Sequence, residues 1–370
     1  MIVWFAVINT AAERIKPLRH VTIPNLILSE QDPLGDKYAA LVSPNESFNV
    51  LVLGSSLVMA TAGADIADGL VANVPSFDAG YYTRALALDR DLKTNLQVET
   101  RSFNMGITAC MLEEDLALLQ QALRAGKRPR VVLLMVAPRD FIDKMHKRGT
   151  HVEQYIASLR PWWQQVSLRN SVPENIQALP DFLSYVYKNR GQYLQVLDIE
   201  VCNFFHRPAT LYDAVKGINY TSETKLPTAT NKATNSHQHQ PKREGPQTMY
   251  PARYLPIDYR RFSIETVALD KILQTCNQNN IIPIVVNMPR TRANEALLPE
   301  SFRALYRSKL QESCSSNTAT LFDYGQDAQF TDDDFTDTVH LTPAGASKLF
   351  KVFAGDLAQS QFATAVKRAL

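Results

Sequence analysis

The chain has 370 residues, 45% of them apolar, with 39 basic and 37 acidic side chains and a net charge of +2. That apolar content excludes wholesale disorder, and a charge so near neutrality gives no electrostatic reason to approach a polyanion, so nucleic acid is not expected as a partner. The four cysteines, Cys110, Cys202, Cys276 and Cys314, lie far apart with no CxxC pair and indicate neither a zinc site nor a disulfide scaffold.

Met1 to Ala12 is an apolar run followed by Glu13, Arg14, Lys16 and Arg19. It is shorter than the roughly 20 apolar residues of a spanning helix, and no basic segment precedes it as in a secretory signal. A docked N-terminal helix and the trailing end of a membrane anchor both fit. Further along, continuous apolar runs read as strands buried on both faces of a parallel sheet: Phe48 to Leu53, Leu96 to Phe103, Arg130 to Val136, Ile281 to Val286 and Thr318 to Tyr324. Helical periodicity falls between them, at Tyr81 to Thr94, Leu112 to Ala125 and Ile264 to Gln278. This alternation predicts an α/β fold with a doubly wound parallel sheet, whose ligands bind beyond the C-terminal ends of the strands.

About 115 residues interrupt the alternation after the third strand. Four segments result: an N-terminal piece 1–39, the first half of the α/β domain at 40–142, a mostly helical insertion at 143–257, and the second half at 258–370. The insertion opens rich in aromatics, among them Trp162, Trp163, Tyr185 and Phe204, and serves either as packing or as a lid. It closes on a polar tract at about 221–246 that reads as a disordered surface loop. His237 and His239 in that tract lack the carboxylate or thiolate support of a metal site.

Chemistry concentrates at two places. Directly after the first strand, Gly54-Ser55-Ser56-Leu57 puts hydroxyls at a strand-to-helix turn, where free helix amides favour a developing oxyanion; a simple N-cap is the alternative. A dinucleotide fingerprint fails there, because the second and third glycines are missing. Near the C-terminus, Asp337-Thr-Val-His340 precedes Thr342-Pro343, an N-cap and first helical residue, so that an acid and a base share a loop before a helix. A histidine there can take the proton of Ser56, and the aspartate can orient it. The neighbouring Asp332, Asp333 and Asp334 read as a solvated loop rather than a calcium site.

Taken with Asn104-Met-Gly106 and the strand ending Ala137-Pro-Arg139-Asp140, these blocks, in this order, resemble the SGNH/GDSL hydrolase superfamily. The first block is similar to the Gly-Ser-Ser variant of membrane-associated cell-surface O-acylation proteins. The resemblance implies a flavodoxin-like, three-layer α/β domain. It also implies a serine esterase or O-acyltransferase with Ser56 as nucleophile, His340 as base and Asp337 as its orienting acid, and no cofactor or metal. Ser56, Gly106 and Arg139 would support the oxyanion, with Ser55, Asn104 and Asp140 as supporting residues. Arg139 stands where the family has asparagine, and can either donate to the oxyanion or pair with an acid. By the same resemblance the substrate is an ester or acylated glycan of the cell envelope, with a membrane-bound acyltransferase as a possible partner and an extracytoplasmic location. A catalytically weak module that binds a glycan or such a partner is the alternative.

Overall fold

Five short strands lie side by side, all parallel: β1 (Val50–Leu53), β2 (Ser102–Asn104), β3 (Val131–Val136), β4 (Ile282–Asn287) and β5 (Thr320–Asp323). Their order is β2-β1-β3-β4-β5. The chain starts in the interior of the sheet, moves to one edge with β2, then crosses back to β3 and on to β5. The direction of winding therefore reverses between β1 and β3, and a crevice opens there at the C-terminal ends of the strands. Both β1 and β3 are buried at every position, as continuous apolar runs in a sheet covered on both faces must be.

The computed structural model describes residues 33–71, 79–144 and 250–370. The N-terminal apolar run, the aromatic part of the insertion, the polar tract and the His237 and His239 pair lie outside the described residues. Those described belong to one compact unit, bounded by Pro33–Leu159 and Lys242–Leu370. Among them, no helix is long and apolar enough to cross a membrane.

Among the described residues the helices in chain order are α1 (Pro33–Val42), α2 (Ser56–Ala60), α3 (Gly63–Ala67), α4 (Leu86–Leu96), α5 (Leu112–Arg124), α6 (Arg139–Ile142), α7 (Tyr250–Tyr254), α8 (Tyr259–Gln278), α9 (Arg292–Ala296), α10 (Glu300–Ser316), α11 (Pro343–Gln359) and α12 (Ala363–Ala369). They form two layers. Helix α11 packs on α3 and α4, and Leu92, Phe353 and Leu357 from this layer meet Val50, Val131, Leu133 and Ile284 of the sheet. Helix α8 packs on α5, α6 and α10, with the rings of Phe262 and Phe302 5.2 Å apart and those of Phe141 and Tyr306 at 5.3 Å. The sheet between them makes a three-layer α/β arrangement.

The second predicted strand is largely a correction. Leu96 completes α4, Gln97 ends the helix in the left-handed region at φ 57°, and only Ser102–Asn104 pairs with β1. The preceding helix begins at Leu86 rather than Tyr81, because its cap comes from elsewhere: Asp65 of α3 accepts from the amides of Leu86 at 2.8 Å and Ala87 at 2.7 Å. The expected cap of α11 is present, with Thr342 Oγ1 accepting from the Gly345 amide at 3.0 Å and Pro343 at the first helical position.

Candidate active site

Gly54 makes the turn after β1. It sits at φ 145°, and a Cβ there would lie 2.5 Å from the Met135 carbonyl oxygen, so glycine alone fits. Ser55 follows as the N-cap of α2, its hydroxyl accepting from the Leu57 amide at 3.4 Å. The cap assignment thus belongs to Ser55 and leaves Ser56 as the first helical residue, whose N–H has no intrahelical acceptor.

Ser56 Oγ is 2.8 Å from His340 Nε2, and His340 Nδ1 is 2.7 Å from Asp337 Oδ2. Asp337 Oδ1 accepts from the amides of Val339 at 2.8 Å and His340 at 2.7 Å, which folds the loop back on its own carboxylate. Burial alone would raise the Asp337 carboxyl. The His340 ring bond, the His340 charge and these two amides outweigh it and hold the group at about 2. Asp337 is therefore ionised at neutral pH and can only accept, so in the neutral imidazole the proton belongs on Nδ1 and Nε2 accepts from the Ser56 hydroxyl. This is the tautomer a general base for Ser56 requires.

These groups come from opposite ends of the chain, 284 residues apart. Their meeting follows from helix packing: a Cβ at Gly63 of α3 would lie 3.1 Å from the ring of Pro343, so the start of α11 rests on the helix just after Ser56.

Asn104, at the end of β2, accepts the Gly106 amide on Oδ1 at 2.9 Å and donates Nδ2 to the Val58 carbonyl at 3.3 Å. Gly106 packs directly on α2, where a Cβ would stand 2.4 Å from the Met59 nitrogen. In the resting site its N–H already has an acceptor. Lys37 of α1, 1% exposed, donates Nζ to the Gly106 carbonyl at 2.8 Å and fixes the far side of the same loop.

Arg139 is 4% exposed at the start of α6. Its Nε lies 3.8 Å from Asp140 and its Nη2 3.6 Å from Asp143, while Nε and Nη1 make no hydrogen bond among the described residues. Asp140 accepts from the Ala137 amide at 2.8 Å and from the Ser55 hydroxyl, linking the third sequence block to the first. Burial pushes its carboxyl up, against the pull of Arg139 and those two bonds, to about 6. Asp332 and Asp333 are exposed, and Asp334 pairs with Lys348 at 2.9 Å.

Three residues at the site carry no signal in the sequence. Tyr250 donates its hydroxyl to Asp337 Oδ2 at 3.3 Å, Arg253 binds Asp143 through Nε at 3.0 Å and through Nη2, and Lys37 reaches Gly106. Tyr250 and Arg253 share the short helix α7, so Asp337 and the anchor of α6 are held from one place. Tyr250→Phe removes one donor to a charged acceptor at a long distance, a loss of about 1 kcal/mol or roughly fivefold in kcat. With less of the carboxylate charge engaged, the acid limb of kcat/KM is expected to move to higher pH. A profile unchanged in height and position would show that the contact has no part in positioning Asp337.

No protein-family model matches this chain, and no curated protein matches it in sequence.

Proposed function

We propose that the chain is an SGNH-type serine esterase or O-acyltransferase acting on oxygen esters, with a flavodoxin-like domain as its catalytic body. The observation that carries this reading is the continuous hydrogen-bonded line from Ser56 through His340 to Asp337. In the proposed reaction Ser56 Oγ attacks the ester carbonyl while its proton passes to His340 Nε2. The oxyanion forms beside the free Ser56 N–H, with the Gly106 amide and Arg139 as further donors. Collapse breaks the bond to the leaving alkoxide, which takes the proton from His340 and leaves an acyl-Ser56 ester. Water or a sugar hydroxyl, deprotonated by His340, then attacks this ester and regenerates Ser56. An acylated envelope glycan is the substrate class the Gly-Ser-Ser block implies.

A catalytically weak binding module is the second reading, favoured by one feature: the Gly106 amide is occupied by Asn104, and Arg139 is held beside two carboxylates. Intact mass after incubation with a fluorophosphonate separates the two. One adduct on wild type, absent from Ser56→Ala, is the expected outcome. A folded wild type that stays unmodified would leave the binding module as the reading to pursue.

A further inference from the structure

The loop that carries the Gly106 amide is tied down by a residue outside the line from Ser56 to Asp337. Glycine is required at 106 for room: a Cβ would stand 2.4 Å from the Met59 nitrogen and 2.8 Å from the Val58 carbonyl carbon, so the loop lays its backbone directly on α2. The same choice brings freedom, because glycine has the widest range of backbone conformations. Nothing in the residue itself fixes where its N–H points, and the direction has to come from its neighbours.

Those neighbours are anchored on both sides. Met105 donates its N–H to the Val52 carbonyl of β1 at 2.9 Å, and Ile107 donates to the Gly54 carbonyl at 3.1 Å. The Gly106 carbonyl takes Lys37 Nζ at 2.8 Å. The peptide between Gly106 and Ile107 is therefore held at its oxygen by Lys37 and at its N–H by Gly54, and the Gly106 amide lies one backbone step from that clamp. Gly54 in turn leads into Ser55 and Ser56, so this single peptide joins the Gly106 loop to the nucleophile turn.

Lys37 is unusual for a lysine. It sits on α1, which packs on α5, and is only 1% exposed. A long lysine stem ordinarily lets the amine reach water, and full burial marks a specific partner. Out of water an N–H···O bond is also stronger than at the surface, which makes the Gly106 carbonyl a firm anchor point.

We propose that Lys37 is a positioning residue of the oxyanion loop: by holding the Gly106 carbonyl it sets the direction in which the Gly106 N–H meets the developing oxyanion. The role rests on the serine-esterase reading and adds a residue to it. The test compares p-nitrophenyl acetate with p-nitrophenyl thionoacetate, whose sulfur accepts hydrogen bonds weakly and so gains little from the oxyanion donors. Lys37→Met, close in length but without a donor, is expected to lower kcat/KM for the oxygen ester by about 10- to 100-fold, the range for a donor displaced or lost. The thionoester should lose less, so the ratio of the two rates shrinks. A structural role would lower both rates together and leave the ratio unchanged. Lys37→Arg keeps a donor but is too long to leave the carbonyl in place, and it must shrink the same ratio where Lys37→Met fails to fold. A wild type with neither turnover nor a fluorophosphonate adduct sinks the esterase reading and this role with it. An active wild type whose ratio survives in a folded Lys37 variant, or two variants that both fail to fold, overturns the role of Lys37 alone.

Discussion

Ser56→Ala is expected to lower kcat on a small activated ester such as p-nitrophenyl acetate by about 10⁴ to 10⁶, with the melting temperature unchanged. The fold should not notice the change. The helix cap is made by Ser55, and the hydroxyl of Ser56 is tied to His340 alone among the described residues. His340→Ala should cost nearly as much, and the double variant little more than either, because nucleophile and base act as one unit. Additive losses would mean that the two side chains contribute separately. A Ser56→Ala enzyme within tenfold of wild type would remove Ser56 as the nucleophile and place any esterase activity elsewhere.

Part of this arrangement is legible in the amino-acid sequence, for identifiable reasons. β1, β3 and β4 are buried on both faces, so each appears as an uninterrupted apolar run bounded by turn residues, and its position is readable to within a residue or two. β2 is a three-residue edge strand. The apolar residues before it belong to the end of α4, and nothing local separates the two. The start of α4 depends on a carboxylate about 20 residues upstream, which no window centred on the helix contains.

The site divides in the same way. Ser56, Asp337 and His340 sit where local chemistry is distinctive, after a glycine turn and before a capped helix, so their types and spacing point to them. Their supports do not announce themselves. Lys37 is one lysine in an ordinary helix until its Nζ is found under Gly106, 69 residues away, and Tyr250 is one aromatic among many until its hydroxyl meets Asp337. Arg139 reads equally well as an oxyanion donor or as the partner of an acid. The structure sets it beside Asp140 and Asp143 and, among the described residues, leaves Nε and Nη1 without hydrogen bonds, so the pairing does not exhaust its donors.

Asp337→Asn tests the tautomer on which the whole line depends. The amide has only one way to sit: its oxygen must keep accepting the amides of Val339 and His340, as Asp337 Oδ1 does, which turns its NH₂ toward the ring. Facing a donor, His340 Nδ1 has to accept, the ring proton moves to Nε2, and Nε2 can no longer take the proton of Ser56. A loss in kcat of about 10⁴ at neutral pH is expected. The same substitution separates catalysis from stability through pH. The Asp337 carboxyl titrates at about 2 in the fold, below the roughly 4 of an unfolded chain, so its stabilisation is complete above pH 4 and is lost as pH falls through 2. It amounts to about 2 kcal/mol. The amide of the variant cannot titrate, so the gap between wild-type and variant unfolding free energies should narrow by that amount between about pH 5 and pH 2, as denaturant melts would show. A variant that keeps turnover within tenfold, or a gap that stays constant with pH, would mean that the carboxylate neither sets the His340 tautomer nor draws its low pKa from this loop.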